Sequence, residues 1–277
     1  MDLLPKTLEL CQLYGIKPSR SKGQNFLIDE SVYDKIVAGA DIEKNDTVLE
    51  VGPGLGFLTL KLSQKAKKVL AVELDTKLFQ FLQSLINAKN IKNIKIFNND
   101  ILRARGENFS RLGSYKIVSN LPYNISSIFL RKFLSLSNKA EVIVLLLQKE
   151  VAQRIVAQAP NMSLLSASVQ FYAQAEILFE VGRDKFYPIP EVDSAVIRIK
   201  PQKNRLKTYV EEKKFFSLLR IGFSAKRKML KNNLSQGLRV DIKKIENVLQ
   251  QNNLDIKVRA EELTIDNWLG IYRDLFL

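Results

Sequence analysis

The chain has 277 residues, long enough for one sizeable α/β domain and a small second one, and 43 lysines and arginines against 29 acids give it a net charge of +14 and a pI near 9.7. That imbalance predicts a polyanionic partner, because phosphate contacts and counterion release dominate affinity for nucleic acids. A single cysteine, Cys11, and the absence of histidine exclude an intramolecular disulfide, a cysteine-cluster metal site, Ser-His-Asp and Cys-His triads and imidazole acid–base chemistry. Any catalysis must then use carboxylates, amides, backbone groups or a bound cofactor.

In chain order, Leu8 to Arg20 reads as a short amphipathic segment running into a basic linker (Lys17, Pro18, Arg20, Lys22). Gly23-Gln24-Asn25-Phe26-Leu27 follows, then a helix capped by Asp29 or Ser31 that ends near Ala40. A strand is predicted at Thr47 to Val51, a helix at Leu55 to Ser63, and a second strand at Val69 to Glu73. Thr76 is placed to cap a helix whose apolar face holds Leu78, Phe79, Leu82, Leu85 and Ile86. Further strands are expected at Ile94 to Phe97, Tyr115 to Ser119 and Val142 to Leu147, the last an unbroken apolar run of the kind buried on both faces. Helices fill Ser126 to Leu136, Lys149 to Gln158 and Leu164 to Tyr172. Two more strands, Glu176 to Val181 and Ala195 to Ile199, flank Phe186-Tyr187-Pro188-Ile189-Pro190, whose prolines suit a loop or sheet edge.

Strands alternating with helices predict an α/β, Rossmann-like doubly wound sheet over residues 1–200. Pro201 to Lys207 reads as a linker, and residues 201–277, helical throughout, carry 16 basic and 9 acidic groups. The second domain is therefore expected to be a basic, all-helical RNA-binding module. Asp2 near the start, no apolar leader, and no run long enough to span a bilayer point to a cytoplasmic setting without membrane association.

Val48 to Leu58 (VLEVGPGLGFL) combines strand, glycine turn and helix, the opening of a βαβ unit that holds a nucleotide-like ligand at the strand's carboxyl end. Phe57 stands where a dinucleotide fingerprint needs its last glycine, and no lysine occurs before Lys61, so neither phosphate-binding pattern fits. Glu73 ends the second strand, where an acid binds a ribose diol, and Asp100 closes the third. A positively charged adenosine ligand suits this rim better than a polyphosphate. At the fourth strand end, Asn120-Leu121-Pro122-Tyr123 resembles the Asn/Asp/Ser-Pro-Pro/Leu-Pro-aromatic motif of methyltransferases that modify exocyclic amino groups of bases. An adenine amino nitrogen is a poor nucleophile because its lone pair is delocalised. The Asn120 amide oxygen and the Leu121 carbonyl can accept its two N–H groups and free that lone pair, Pro122 fixes φ, and Tyr123 offers a stacking face.

With these residues in order, the chain resembles the small-subunit ribosomal RNA adenine N6,N6-dimethyltransferases over nearly its whole length. The resemblance implies S-adenosyl-L-methionine as cofactor, with Asn25 and the Leu27 backbone touching it. Gly52 and Gly54 would lie on its methionine side, Glu73 on the ribose, Asp100 on the adenine amino group, and Asn120 between cofactor and target. Gln148-Lys149-Glu150-Val151-Ala152-Gln153-Arg154, the Phe186 to Ser194 segment and Arg259-Ala260-Glu261-Glu262-Leu263 match further family motifs, and Phe186 is expected over the other face of the target adenine. Lys226, Arg227, Lys228 and Lys231 are the candidate RNA contacts. Two departures, Ser21-Lys22-Gly23 in the entry motif and Lys226-Arg227-Lys228 in place of a double arginine, bear on RNA contacts and not on the chemistry. The implied activity is dimethylation of two adjacent adenines in a hairpin loop near the 3′ end of 16S rRNA, by a monomer acting on an immature small ribosomal subunit. The alternatives are a methyltransferase of large-subunit rRNA of the antibiotic-resistance type, a non-catalytic assembly or transcription factor on the same scaffold and, least compatible with Phe57, an oxidoreductase.

Overall fold

The computed structural model describes residues 2–19, 23–104, 109, 112–203 and 205–277; Arg20, Ser21 and Lys22 lie outside the described residues. The chain divides into two compact units, one built from residues 1–152 and 175–201, the other from 153–174 and 202–277.

The first unit opens with α1 (Leu4–Leu13), the short strand β1 (Phe26–Leu27) and α2 (Glu30–Gly39). Asp29 caps α2 by accepting from the Ser31 amide at 3.0 Å, which satisfies one of the helix's orphan donors. Then β2 (Thr47–Val51), α3 (Phe57–Lys65), β3 (Lys68–Glu73), α4 (Thr76–Ala88) and β4 (Ile94–Asn98) alternate, followed by β5 (Lys116–Asn120), α5 (Ser126–Leu134) and β6 (Ile143–Gln148). Asp75, not Thr76, caps α4: its Oδ1 accepts from the Lys77 and Leu78 amides at 2.9 and 3.3 Å. A carboxylate acceptor there also complements the helix dipole. Helix α4 buries Leu78, Phe81, Leu82 and Ile86, leaving Phe79 and Leu85 partly covered at the edge of the stripe.

After α6 (Lys149–Val156) and α7 (Leu164–Tyr172) come β7 (Ala173–Val181), β8 (Phe186–Tyr187) and β9 (Ser194–Pro201). Seven strands form one sheet in the order β4-β3-β2-β5-β6-β9-β7. Strands β2, β3, β4, β5 and β6 pair in parallel with their neighbours, and β9 is antiparallel to β6. Ile143, Val144, Leu145, Leu146 and Leu147 of β6 are all fully buried, as the apolar run predicts for a strand covered on both faces. The chain leaves β2 toward β3 and β4, then returns to β5 on β2's other side. That reversal creates the switch point at which an open α/β sheet binds its ligand.

A two-stranded antiparallel sheet, which the sequence pattern does not predict, pairs Phe26 with Tyr187 and Leu27 with Phe186. It ties the entry motif to the proline-rich segment.

The second unit contains α8 (Tyr209–Gly222), α9 (Leu230–Leu238), α10 (Ile242–Gln251) and α11 (Ile265–Phe276). Residues 153–174, expected within the first domain, cluster here instead. The reason is aromatic packing: Phe171 stacks on Phe215 with ring centroids 4.9 Å apart, and Tyr172 on Phe216 at 5.5 Å. The Met162 amide also donates to the Glu261 carbonyl at 2.9 Å. Trp268 and Tyr272 complete a core in which both are fully buried.

Candidate active site at the switch point

A cavity of about 330 Å³ opens at the carboxyl ends of β2, β3 and β5. Its walls begin with the glycine loop. Gly52 and Gly54 have φ of +65° and +56°, and a Cβ on them would stand 3.4 Å from the Pro122 ring and 3.3 Å from the Phe26 ring respectively. Side-chain-free, left-handed backbone is required at both positions because the loop runs flush against the β5 turn and the entry motif. The Gly52 amide donates to the Val72 carbonyl at 2.9 Å, binding the loop to β3.

Glu73, 6 % exposed, holds the loop from the next strand end. One oxygen accepts from the Gly54 amide at 3.1 Å and the other from the Asp75 amide at 2.9 Å. Burial raises its pKa above the ordinary carboxylate range, opposed by those amides. Each oxygen keeps a lone pair, so a diol could still bind. Asp100, on the loop after β4, also lines the cavity. Its Oδ1 accepts from the Leu102 amide at 2.9 Å and its Oδ2 lies 3.4 Å from the Arg103 Nε.

A third carboxyl, absent from the sequence-based reading of the rim, joins these two. Glu50, in the middle of a buried strand, lines the cavity from beneath and is 1 % exposed. Among the described residues its Oε2 has no hydrogen-bond partner. Burial pushes its pKa up to about 8, and the Glu73 carboxylate adds to the shift. A signal for it exists in the sequence: an acid inside an apolar strand is rarely there for packing. Glu73, Asp75 and Asp100 line the cavity together with Glu50, which its raised pKa keeps protonated at neutral pH, and among the described residues that line it there is no lysine or arginine. In a chain of net charge +14, such a lining favours a cationic ligand and disfavours a polyphosphate.

Asn120 is the last residue of β5, at the mouth of this cavity. Its Nδ2 donates to the Asn25 carbonyl at 3.4 Å, which turns the amide so that Oδ1 remains available as an acceptor. Leu121 is buried and anchored by its amide to the Leu146 carbonyl at 3.3 Å. Pro122 has φ of −53° and precedes a 3₁₀ turn over Tyr123–Ile125. The Tyr123 hydroxyl bonds the Ser194 hydroxyl at 2.7 Å, and Ser194 is itself fully buried at the start of β9. A second cleft adjoins the first through Gly23, Asn25, Tyr123 and Asn124, and continues to Gln148, Ile189, Pro190 and Glu191. The fold thus brings Asn124 to the site beside Gln148, Glu191 and Ser194, which lie in segments that the sequence already singles out.

Asn25, Leu27, Gly52, Gly54, Glu73, Asp100, Asn120, Leu121, Pro122 and Tyr123 all line the first cavity. Leu27 itself is fully buried, and its carbonyl accepts from the Tyr33 hydroxyl at 2.9 Å. Phe186 is 1 % exposed, belongs to the core of the first unit and lines neither cleft. It pairs with Leu27 in the small sheet, beside the entry motif.

Lys226, Arg227 and Lys228 lie in the exposed loop between α8 and α9, and Lys226 sits only 3.7 Å from Glu261 with its side chain 82 % exposed. Lys231 does not share that surface: its Nζ is 2.6 Å from Glu246 Oε1 and its side chain is 15 % exposed. That ion pair ties the Lys231 ammonium to Glu246.

The lining fits S-adenosylmethionine in kind: acids without a lysine or arginine among the described lining residues suit a cationic ligand, the Glu73 carboxylate could accept from a diol, and a backbone cradle closes against Pro122 and Phe26.

The family model described as ribosomal RNA adenine dimethylase matches residues 16–275. A protein of Dehalococcoides mccartyi (strain CBDB1) named ribosomal RNA small subunit methyltransferase A is 42 % identical over 270 residues, covering 96 % of this chain and 91 % of that protein. A Bacillus licheniformis protein of the same name is 36 % identical over 273 residues, covering 95 % and 93 %. Among solved structures, a dimethyladenosine transferase from Plasmodium falciparum superposes with a TM-score of 0.76 at 27 % identity, covering 89 % of this chain and 95 % of that one. With the match running through both structural units and every strand end of the cavity, the chain belongs to the ribosomal RNA adenine dimethylase family.

Proposed function

We propose that this protein dimethylates N6 of adenines in small-subunit ribosomal RNA with S-adenosylmethionine as methyl donor. Its targets are two adjacent adenines in a hairpin loop near the 3′ end, within an immature subunit in the cytoplasm. The observation that carries the reading is the Asn120 amide, held by the Asn25 carbonyl so that its oxygen points away as an acceptor beside an acid-lined, lysine-free cavity.

Bound S-adenosylmethionine supplies an electrophilic methyl group on a positively charged sulfur. Glu73 would take the ribose hydroxyls, Asp100 the adenine amino group, and the Gly52–Gly54 backbone together with Asn25 and Leu27 the methionine end. The target adenine, unstacked from its loop, would enter by the second cleft, as bases do in other enzymes that modify them. Asn120 Oδ1 and the Leu121 carbonyl accept its two N–H groups, which withdraws the nitrogen lone pair from the ring. Tyr123, its hydroxyl fixed by Ser194, presents a ring face for stacking. Orientation and hydrogen-bond acceptance supply the rate enhancement, which explains how a chain without histidine carries out the chemistry. The second unit, through Lys226, Arg227 and Lys228, would grip flanking phosphates.

The test uses purified protein, immature small subunits and labelled cofactor, with methylated positions mapped by mass spectrometry. Label in adjacent small-subunit adenines is expected. Label in large-subunit RNA would redirect the assignment to the resistance type, and no transfer to any RNA, with no cofactor binding by calorimetry, would refute an enzyme.

A further inference from the structure

Lys132 lies in the last turn of α5 and is assigned no part in the reading above. Its Nζ donates to three backbone carbonyls of one loop: Ile101 at 3.1 Å, Leu102 at 2.7 Å and Ala104 at 2.5 Å. An ammonium has three protons, and each has an acceptor. Burial lowers its pKa, and the Asp100 carboxylate opposes that shift from a distance. A surface lysine making one ion pair costs little to lose, whereas removing an ammonium bonded to three carbonyls takes a donor from each of them.

The loop so held is the one that carries Asp100 and Ile101 into the cavity wall. It is tight on its own account: the Asp100 carbonyl accepts from the Arg103 and Ala104 amides at 3.0 and 3.2 Å, and Asp100 Oδ1 accepts from the Leu102 amide at 2.9 Å. Those bonds set the loop's shape, and Lys132 attaches it to the neighbouring helix, on which Phe109 also packs through Phe133 at 4.9 Å between ring centroids. The helix that bears Lys132 starts at Ser126, directly after the Tyr123–Ile125 turn. One rigid element therefore carries the acceptor turn at its beginning and the Asp100 loop's anchor at its end.

We propose that Lys132 is a positioning residue for adenine recognition, its ammonium clamping the carbonyls of Ile101, Leu102 and Ala104 so that Asp100 is held at the depth where it meets the ligand's 6-amino group. The inference rests on the reading of the cavity as an S-adenosylmethionine site. It makes the helix following the acceptor motif a part of the cofactor's specificity.

The experiment compares binding of S-adenosylhomocysteine and S-inosylhomocysteine, which carries a carbonyl where adenine has its amino group, by titration calorimetry. Wild type is expected to prefer the adenosyl ligand by ~10-fold or more, the value of one charge-assisted hydrogen bond. Lys132→Met should cut that ratio to within about threefold of the value for Asp100→Ala, and the double variant should show no further loss, since residues acting through one contact are not additive. Lys132→Arg, which keeps charge and donors, should recover most of the ratio. If Lys132→Met does not fold, Lys132→Gln, with two donors in place of three, should give an intermediate ratio. Equal weakening of both ligands with the ratio intact would make Lys132 a support of the fold alone and overturn the proposal. Failure of wild type to bind either ligand would refute the cavity assignment itself, and the proposal with it.

Discussion

Replacing Glu50 by glutamine should make the protein more tolerant of alkaline pH, by an amount that follows from the burial of this carboxyl. Glu50 is 1 % exposed and its pKa is pushed up to about 8 from an ordinary value of 4.5. Between those values the folded chain holds a proton that the unfolded chain has released. Folding stability is therefore fully present below about pH 4.5, falls as pH rises, and reaches its full loss above about pH 8. Each unit of pH in that window costs about 1.4 kcal/mol, which reaches roughly 3 kcal/mol at neutrality. Glutamine removes the titration while keeping the shape of the side chain. The measurement is urea unfolding of both proteins at pH 5.5, 6.5 and 7.5, followed by far-UV circular dichroism. Contributions from other groups appear in both proteins and cancel in the difference, which should open by ~1 kcal/mol per pH unit in favour of the variant. Parallel profiles would show that Glu50 is ionised in the folded protein, and would refute the reasoning from burial.

Asn120→Ala should lower kcat by ~100-fold or more with cofactor affinity within a few-fold of wild type, because it removes an acceptor used mainly in the transition state; single-turnover methylation and calorimetry separate the two. Ser194→Ala frees the Tyr123 ring and should reduce kcat/KM for RNA by about tenfold, the value of ~1.4 kcal/mol of lost positioning, while leaving the calorimetric cofactor Kd unchanged. Gly54→Val forces a branched side chain into φ of +56° against the Phe26 ring, and should cost ~1–3 kcal/mol of stability along with cofactor binding, read by thermal melts with and without ligand. Charge reversal at Lys226, Arg227 and Lys228 should flatten the plot of log affinity against log salt by about 2, at ~0.7 per single-strand phosphate contact, whereas Lys231→Ala should leave that slope unchanged because its charge is already paired with Glu246.

Much of the site is legible in residue order because the chemistry of each strand end is local. The glycine loop, Glu73, Asp100 and the Asn120 to Tyr123 turn each follow directly from a strand, so the alternation that predicts the sheet also predicts that they share its carboxyl rim. The central strands lie within a residue or two of their expected bounds, and β5 ends on Asn120 itself. Charge imbalance and the lack of histidine narrow the chemistry on composition alone.

Other features depend on contacts between residues far apart in the chain. The pairing of Phe26–Leu27 with Phe186–Tyr187 has no periodic signature, since two residues are too few to show one, and it brings Phe186 against the entry motif. Residues 153–174 read as part of the first domain because they follow its helices without a break, yet the Phe171 and Tyr172 rings find their aromatic partners in Phe215 and Phe216. Lys231 and Lys226 look alike in a basic run; the fold places Lys231 15 % exposed at 2.6 Å from Glu246 and Lys226 82 % exposed at 3.7 Å from Glu261. The three carbonyls gathered by Lys132 and the orphaned oxygen of Glu50 likewise depend on which backbone and which solvent remain after packing. The residue types at the sheet's carboxyl rim are legible in the chain because they follow from local order along each strand. Which charges are paired and which rings are covered emerges only on folding, because both depend on desolvation by partners that no local pattern specifies.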